Sequence, residues 1–580
     1  MRLSAVKYTD LLKKNNEYAK NLPEDVYAIT TLSNIVVEQL NYILEYSLRV
    51  DGVPAMLSAS DYDNIVQDSQ KNQHSNAIII FWELCNIIDG FQYKIELLDT
   101  SQLDAIIEKI KSEIDFVLNN LEQTPLVLIN KFTSLSFSNL NIRKNYLDKI
   151  ADQLNQYLEE NITVNTQLVD IDKVIALVGV SNSFDMRYYY SSKSLYTIDF
   201  FKSYAEFVKP FFMSANGQSK KALIFDCDNT LWGGILGEDG FDNIEMSVET
   251  KTGSIFAEIQ AMALSLSKQG VLICLCSKNN IDDVNSVINA HPDMQLKEEF
   301  IAIKKVNWSD KMTNIKKISK ELNIGLDSLV FVDDSSFEIN LIKEQLPEVT
   351  VLQVPEKLYK YPEILRENLG LFYNLAITEE DSKKIKMYKH QVTRESSKNK
   401  FNDIESYLSS LGLKISIFKD DKSIISRMSQ MSQKTNQFNL VTKRYTDGDI
   451  QNFINDSNSD VYTLSVTDKY GDSGITGLCI ILFNNSKKSA EIDTFLMSCR
   501  IIGRNIEFAF MDFIIDKLKK KKVLKLKAKY IKTKKNNQVE KFYDKCSFVS
   551  IGKNSSVTNY FLNIDDYKVS NKDYIEVVYE

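Results

Sequence analysis

The sequence predicts an α/β protein in which a parallel-sheet domain lies between an N-terminal α/β domain and a C-terminal α+β domain. Three runs in the middle third, ALIF (222–225), VLICLC (271–276) and SLVFV (328–332), are continuously apolar, as in strands that are buried on both faces. Segments with helical periodicity separate these runs, and such alternation indicates a parallel sheet with right-handed crossovers. Strand and helix signals also alternate upstream, whereas hairpin-like strands dominate downstream.

Composition excludes several classes of protein. The chain has 580 residues, 44% hydrophobic and 26% charged, and this length favours about three or four domains. There is no run of about eighteen apolar residues and no signal pattern in residues 1–30, so neither a membrane span nor export is predicted. Seven scattered cysteines without a CxxC pair argue against a disulfide framework or a structural zinc site and favour a cytoplasmic location. The net charge of −8 disfavours nonspecific binding of nucleic acid.

The N-terminal α/β domain is predicted over residues 1–215, and its sequence does not indicate a role. Residues 103–121 have the apolar spacing of an amphipathic helix. The apolar runs PLVLIN (125–130) and KVIALVG (173–179) are interpreted as strands. A polar stretch, SANGQSKK (214–221), is predicted to be a linker.

The other two domains are predicted over residues 216–375 and 376–580. The second of these begins with a charged helical connector at 378–391. Hairpin-like strands follow at 460–483 and 489–498. They precede an amphipathic helix with Ile506, Phe510, Phe513 and Ile514 on one face, and then the alternating strand VLKLKAKY (523–530).

Each predicted strand of the middle domain is followed by polar residues. Asp226 and Asp228 follow the first strand, Ser277 follows the second, and Asp333 with Asp334 follows the third. Because open α/β sheets bind ligands at the carboxyl ends of their strands, these groups are expected to converge on one site.

This set of residues suits chemistry at phosphorus. Asp226 is predicted to be the nucleophile, and Asp228 is placed to protonate the leaving oxygen. Asp226, Asp228 and Asp333 are the predicted ligands of a Mg²⁺, which prefers hard oxygen donors. Lys311 is expected to supply a second positive charge, with Lys304 and Lys305 as alternatives. Thr230 and Ser277 are predicted to donate hydrogen bonds to phosphoryl oxygens.

The four motifs resemble those of the haloacid-dehalogenase (HAD) superfamily. These are DxDxT at 226–230, a serine at 277, a lysine at 311 and the aspartate pair at 333–334. Only about fifty residues separate the first motif from the second, which is too few for a large cap domain. A site without a cap suits a bulky or protein-tethered substrate.

The likeness extends to a particular branch. DCDNTLWGGILGEDG (226–240), CSKNN (276–280), NWSDK (307–311) and FVDDSSFE (331–338) resemble the FkbH-like family of HAD subfamily IIIC. Four downstream segments resemble that family's C-terminal, acetyltransferase-like (GNAT-like) domain: TNQFN (435–439), DKYGDSGITG (468–477), IDTFLMSCRIIGR (492–504) and KFYDKCSF (541–548). The upstream segment NSFDMRYYYSSKSLY (182–196) resembles the family's N-terminal region.

The resemblance implies a bifunctional glyceryl transferase/phosphatase. Such a protein dephosphorylates the glyceryl unit of 1,3-bisphosphoglycerate and loads it onto the phosphopantetheine thiol of an acyl carrier protein, for polyketide-type or related biosynthesis. Two alternatives remain. One is a HAD phosphatase fused to an acyltransferase that acts in surface glycan biosynthesis, and the other is a non-catalytic HAD-like scaffold.

Acyl transfer directs attention to the thiols. Cys499 follows the apolar run FLMS and precedes Arg500 and Arg504 at a predicted helix start, where helix and arginines lower the pKa of a thiol. The arginines are also suited to binding phosphate. Cys499 is therefore a candidate acyl carrier, and a buried, inert cysteine is the alternative reading. Cys227 is the second candidate, although strand alternation directs its side chain toward the core.

Two further features concern the carrier. RIIGRN (500–505) partly resembles the pyrophosphate-binding loop of acetyltransferases, but Asn505 replaces the final small residue. This departure leaves coenzyme A binding open and suits a pantetheine arm without its nucleotide. Lys525, Lys527 and Lys529 lie on one face of a predicted strand. That face is either simply solvated or a docking surface for an acidic carrier protein.

Overall fold

The computed structural model describes residues 3–580 apart from 24–25, 88–89, 138–143, 376–383, 385–386, 392, 395–396, 398–400, 402, 485–487, 534, 554–555 and 571. The chain forms two compact units, residues 1–216 with 445–449 and residues 217–444 with 450–580. Among the described residues, the first unit holds one sheet and the second holds two. The predicted multi-domain α/β architecture is confirmed. The boundary predicted between residues 375 and 376 falls inside the second unit, and residue 376 lies outside the described residues.

The first unit is built on a parallel sheet. Its strands are β1 (Tyr27–Ser33), β2 (Ala55–Ala59), β3 (Ala77–Phe81), β4 (Val127–Asn130) and β5 (Thr166–Val169). They are ordered β2-β1-β3-β4-β5, and every pairing is parallel. All five positions of β3 are buried, because this strand lies at the centre of the sheet.

Eleven described helices precede, connect or follow these strands. They are α1 (Tyr8–Ala19), α2 (Glu38–Val50), α3 (Ile65–Lys71), α4 (Leu84–Ile87), α5 (Phe91–Lys94), α6 (Thr100–Asn120), α7 (Tyr146–Asn161), α8 (Ile171–Val178), α9 (Val180–Ser183), α10 (Met186–Ser192) and α11 (Ile198–Ala215). Helix α6 is the helix predicted over 103–121, and it begins at a capping box formed by Asp99 and Gln102.

One strand prediction in this unit is wrong. Residues 173–178 lie in α8, with Gly179 directly after it, rather than in a strand. Val174 and Ile175 are fully buried, whereas Leu177 is 73% exposed. The apolar residues therefore form the buried face of a helix. A short apolar run of this kind fits a buried helix face and a buried strand equally well.

The second unit begins with another parallel sheet. Its strands are β6 (Ala222–Phe225), β7 (Leu272–Ser277), β8 (Ile301–Val306), β9 (Leu329–Asp333) and β10 (Thr350–Gln353), in the order β10-β9-β6-β7-β8. Strands β6, β7 and β9 are the three predicted from apolar runs. The outer strands β8 and β10 carry polar residues, such as Lys304, Lys305 and Gln353, and were not predicted.

Helices pack against this sheet. They are α12 (Leu236–Asp239), α13 (Lys251–Lys268), α14 (Ile281–Ala290), α15 (Lys311–Leu322), α16 (Ser336–Gln345) and α17 (Tyr361–Glu367). Buried side chains of α13 and α14, such as Ile259 and Val284, share one core with β6 and β7. Ile315 of α15 and Ile339 of α16 lie in a second core with β6 and β9.

The third sheet is mixed. Its strands are β11 (Leu413–Lys419), β12 (Ser459–Asp468), β13 (Gly471–Phe483), β14 (Ser489–Met497), β15 (Lys525–Ile531), β16 (Val549–Lys553), β17 (Val557–Asn563) and β18 (Ile575–Tyr579), in the order β16-β17-β15-β14-β13-β12-β11-β18. Pairs β14/β15 and β11/β18 are parallel and the others are antiparallel.

The helices of this region are α18 (Ile404–Ser409), α19 (Ile425–Lys434), α20 (Asp447–Asn455), α21 (Ile506–Lys520) and α22 (Phe542–Lys545). Ile506, Phe510 and Ile514 of α21 are buried against the sheet, as the amphipathic pattern predicts. The predicted connector at 378–391 lies largely outside the described residues. In the described parts of the chain, every helix is too short or too polar to cross a bilayer.

Candidate active site

Carboxylates from two neighbouring strands meet a buried lysine at one edge of the second sheet. Asp226 directly follows β6, and Asp333 ends the adjacent strand β9. Lys311 Nζ lies 3.1 Å from Asp226 Oδ1 and 2.6 Å from Asp333 Oδ2. One oxygen from each of Asp226, Asp333 and Asp334 lies within 4.8 Å of the others. Asp226, Lys311, Asp333 and Asp334 are called the carboxylate centre below.

The start of a helix places Lys311 at this centre. Lys311 is the first residue of α15, and the side chain of Asp310 caps that helix. The alternatives Lys304 and Lys305 lie on β8 instead, where each forms an ion pair with a glutamate. Among the three candidate lysines, Lys311 is therefore the one that the fold brings to the aspartates.

Negative charge exceeds positive charge at the carboxylate centre. Burial, followed by the charge of Asp226, raises the pKa of Asp333 to about 6. The same two causes raise the pKa of Asp334. Burial opposes the charged form of Lys311, but the carboxylates of Asp226 and Asp333 outweigh it and raise the pKa of Lys311. Three carboxylates around one ammonium group can be offset by a divalent cation, and oxygen donors in this number suit Mg²⁺.

Asp228, a predicted metal ligand, lies outside the carboxylate cluster, whose third member is Asp334. The Asp228 Oδ1 accepts hydrogen bonds from Trp232 Nε1 and from the backbone N–H of Leu236, both at 3.0 Å. Its Oδ2 accepts one from Asn279 Nδ2 at 3.0 Å. These donors fix the side chain, while burial raises the pKa of Asp228. A raised pKa is what a general acid requires.

Two hydroxyl groups lie next to this machinery. Thr230 Oγ1 is buried and has no hydrogen-bond partner among the described residues. Ser277 is the buried last residue of β7, which pairs with β6. An anionic substrate oxygen would satisfy the Thr230 hydroxyl, which fits the predicted role. Asn279 was not predicted, although its place two residues after Ser277 is a signal that it belongs to the same edge.

Cys499 lies elsewhere in the same unit. It follows β14 and begins a short 3₁₀ turn, Cys499–Ile501, whereas α21 begins at Ile506. The predicted position at the N-terminus of this helix is therefore wrong, because residues 500–505 separate the thiol from the helix. Its Sγ lies 3.6 Å from Tyr388 Oη. The other six cysteines are buried, whereas Cys499 is partly exposed.

The two predicted phosphate-binding arginines have different surroundings. Arg500 and Cys499 both line a cavity of about 280 Å³. Arg504 lies outside the set of residues that line this cavity; it is 3.3 Å from an oxygen of Asp468 and donates to Gln391 Oε1 at 2.8 Å. Arg394 also pairs with Asp468, at 2.7 Å, so Arg504 shares this carboxylate and makes its observed contacts within the chain.

Cys227, the second candidate thiol, is fully buried in the core beside β6. Burial is the largest cause that raises the pKa of Cys227 well above its ordinary value, and the charge of Asp226 adds to it. A buried thiol with a raised pKa is a poor nucleophile. This placement agrees with the expectation that the side chain points into the core.

A segment of the chain fills the gap where β14 and β15 diverge. These strands pair only over their first four residues. Residues 438–440 then bridge them: the N–H of Leu440 donates to the Phe495 carbonyl at 3.2 Å, and the N–H of Ile531 donates to the Leu440 carbonyl at 2.8 Å. An extended ligand arm that entered between the two strands would have to displace residues 438–440.

Comparison with solved structures shows a shared fold over much of the chain. The N-terminal part of protein BF1531 from Bacteroides fragilis, which contains a phosphatase domain and is complexed with Mg, matches at 24% identity and a TM-score of 0.55, over 64% of this chain and 100% of that chain. Mutant forms of spermidine/spermine N-acetyltransferase SpeG from Vibrio cholerae match at 13% identity and a TM-score of 0.22, over 26% and 95% of the two chains. Ard1 from Thermoplasma volcanium matches at 16% identity and a TM-score of 0.21, over 26% and 97%. No protein-family model and no curated protein matches the chain.

Proposed function

We propose that this chain is a Mg²⁺-dependent phosphatase that also transfers an acyl group, acting in the cytoplasm. The observation that carries the proposal is the carboxylate centre, where three aspartates and Lys311 converge at the carboxyl ends of parallel strands. The Bacteroides fragilis protein of similar fold contains a phosphatase domain and is complexed with Mg, which supports the same chemistry here.

Asp226, Asp333 and Asp334 would hold the cation. Their oxygens lie within 4.8 Å of one another, and burial, followed by the charge of Asp226, raises the pKa values of Asp333 and Asp334. When bound, Mg²⁺ offsets this charge and that of a phosphoryl group.

The residues of the chain then divide the reaction. A carboxylate oxygen of Asp226 attacks phosphorus, and Asp228 donates a proton to the leaving oxygen as the bond to phosphorus breaks. Lys311 stabilises negative charge on the transferred group, while Thr230 and Ser277 donate hydrogen bonds to its oxygens. Water then releases phosphate from Asp226, and Asp228 takes up the proton from that water.

The finer proposal is glyceryl transfer. It is supported by the likeness of DCDNTLWGGILGEDG (226–240) and IDTFLMSCRIIGR (492–504) to the FkbH-like family. On this proposal 1,3-bisphosphoglycerate is the acyl donor, and the phosphopantetheine thiol of an acyl carrier protein is the acceptor. Cys499, the one partly exposed cysteine, carries the acyl group between them.

Incubation with 1,3-bisphosphoglycerate, Mg²⁺ and a phosphopantetheinylated carrier protein tests this function. Intact mass of both proteins should show an acyl adduct on this chain and then on the carrier. Cys499→Ala should lack the adduct on this chain, and an adduct that survives in this variant would transfer the role to another thiol. Phosphate release without an adduct on either protein would favour the glycan-modifying alternative. No turnover of any phosphorylated substrate would favour a non-catalytic scaffold.

A further inference from the structure

A cavity of about 280 Å³ surrounds the Cys499 side chain within the second unit. One wall comes from the start of the second sheet, where Lys221 precedes β6 and Ser328 precedes β9. Other lining residues come from Tyr388, from α19 and from the turn that contains Cys499. The cavity therefore lies at the amino ends of β6 and β9, whereas the carboxylate centre lies at their carboxyl ends.

Positive charge dominates the lining of this cavity. Asp327 is the one acidic residue among the lining residues, and it forms an ion pair with Lys535. Six cationic side chains line the cavity: Lys221, Lys384, Arg427, Lys434, Arg500 and Lys535. Because of these cations, the cavity is called the basic cavity. This balance favours an anion, and arginine with lysine is the usual combination for phosphate.

The contacts of Cys499 orient its thiol within the basic cavity. Tyr388 Oη lies 3.6 Å from Cys499 Sγ, and Asn323 Nδ2 donates to the Cys499 carbonyl oxygen.

Lys221 Nζ donates to the Lys434 carbonyl at 3.3 Å. Burial lowers the pKa of Lys221, while the nearby Cys499 partly opposes this shift. A bound anion would favour the charged form of the lysine and oppose this shift.

The basic cavity and the carboxylate centre are separate places. Lys221 and Asp226 lie at opposite ends of β6, and Ser328 and Asp333 lie at opposite ends of β9. Five residues of extended strand span about 16 Å. Strands β6 and β9 give the same distance between the basic cavity and the carboxylate centre. One small substrate therefore cannot occupy both sites at once.

We propose that the basic cavity is a binding site for a small organic phosphate, with the phosphate held by Lys221, Arg427 and Lys434 and the reactive carbon placed against Cys499. For an acyl phosphate, and on the proposed acyl transfer function, the Cys499 sulfur bonds to the acyl carbon and the bond from this carbon to the phosphate oxygen breaks. The electron pair leaves with phosphate, which also takes the thiol proton. The cations of the cavity stabilise the departing phosphate.

Protection of Cys499 from alkylation tests the site without requiring acyl transfer. Iodoacetamide should label Cys499, since the other cysteines are buried, and intact mass measures the rate. Inorganic phosphate and, separately, acetyl phosphate should each slow this labelling in the full chain. In a Lys221→Gln/Lys434→Gln variant, the concentration that gives half-maximal protection should rise about tenfold or more.

A matched control removes the same charge outside the cavity. Lys316 and Lys317 are exposed on α15, and Lys316→Gln/Lys317→Gln should keep wild-type protection. Lys221→Arg should also keep most of it, because the cation is retained. If the double variant does not fold, the single Lys221→Gln variant gives the comparison.

The outcomes separate this inference from the proposed function. Absence of protection in the wild-type chain, or equal protection in the lysine variants, would overturn the phosphate site. Alternatively, acetyl phosphate gives the same acyl adduct in the wild-type chain and in the Lys221 and Lys434 variants. That result would also overturn the phosphate site, but it would leave the proposed acyl transfer in place. Protection without any acyl adduct would support the phosphate site and contradict acyl transfer.

Discussion

The Nζ of Lys311 lies 2.6 Å from the Oδ2 of Asp333, although the two residues are 22 positions apart. The lysine begins a helix and the aspartate ends a strand. Both side chains are almost completely buried. Their contact closes the carboxylate centre and makes the charge balance of that centre depend on one ammonium group.

Removal of this ammonium group should weaken both folding and catalysis. Lys311→Met leaves buried carboxylates without their cation, and loss of one partner of a buried pair costs about 3–5 kcal/mol. We expect a lower melting temperature in the absence of metal and loss of phosphate release. Added Mg²⁺ should recover part of the melting temperature, because the cation offsets the same carboxylates. Lys316→Met, at an exposed position on the same helix, should change neither the melting temperature nor phosphate release. A Lys311→Met variant that melts at the wild-type temperature would contradict this account.

Asp226→Asn should abolish Mg²⁺-dependent phosphate release from a simple phosphate ester, since an amide is not a nucleophile toward phosphorus. Asp242 is exposed, so Asp242→Asn controls for the loss of one carboxylate. Retained turnover in Asp226→Asn would remove this residue as the nucleophile.

The separation of the two centres also predicts an order of events. A phosphoglyceryl thioester on Cys499 spans about 7 Å from sulfur to phosphorus, which is less than the distance of about 16 Å from Lys221 to Asp226 along β6. Asp226→Asn should therefore accumulate a carrier protein that bears a still phosphorylated acyl group, as read by intact mass. Transfer that stops at the enzyme in this variant would show that dephosphorylation must come first.

Asp334 and Asp228 should affect different steps. Asp334→Asn removes a member of the carboxylate cluster, so half-maximal activity should require a higher Mg²⁺ concentration. Asp228→Asn removes the proposed proton donor and should lower the maximal rate instead. Titration of activity with Mg²⁺ separates these effects, and a reversed pattern would restore Asp228 as a ligand.

Glu83 in the first unit should make stability depend on pH. Burial is the main cause that raises its pKa to about 7, and the hydrogen bond from Tyr196 Oη at 2.9 Å only partly opposes this. The folded state therefore holds a proton that the unfolded chain releases near pH 4.5, the ordinary value for this group. The stabilisation is complete below that pH and is lost as the pH rises through about 7, by roughly 3 kcal/mol.

Glu83→Gln should flatten this dependence, because the amide is neutral at every pH and keeps an acceptor for Tyr196. Denaturant midpoints at pH 5 and pH 8 measure the effect. Glu96 is exposed, and Glu96→Gln should retain the wild-type slope. Equal slopes in both variants would contradict the buried, neutral state of Glu83.

The lysines of β15 offer a test of carrier docking. Lys525, Lys527 and Lys529 alternate with buried residues, so they share one exposed face. Lys529 also pairs with Glu491 at 2.8 Å. Reversal of all three charges to glutamate should slow transfer to an acidic carrier protein, most strongly at low salt. Reversal of Lys316, Lys317 and Lys320, which are exposed on α15, is the matched control. Unchanged transfer kinetics in the β15 variant would show a merely solvated face.

Local patterns predicted the elements of this protein where one physical requirement dominated. Continuous apolar runs predicted β6, β7 and β9, because strands buried on both faces have no polar positions. The same signal does not predict the outer strands β8 and β10. Both are partly exposed and contain polar residues such as Lys304 and Gln353, so neither is a continuous apolar run. Residues 173–179 were assigned to a strand because a short apolar run fits a buried helix face equally well.

The motifs alone identified the charged residues of the site, namely the aspartates that follow the strands and Lys311. Tertiary structure decided how they are shared: Asp334 joins Asp226 and Asp333, while three donors hold Asp228 apart. It also placed Cys499 in a basic cavity at the far end of the same strands and paired Arg504 with Asp468. Such neighbours come from segments that are distant along the chain, so only folding brings their charges close enough to interact.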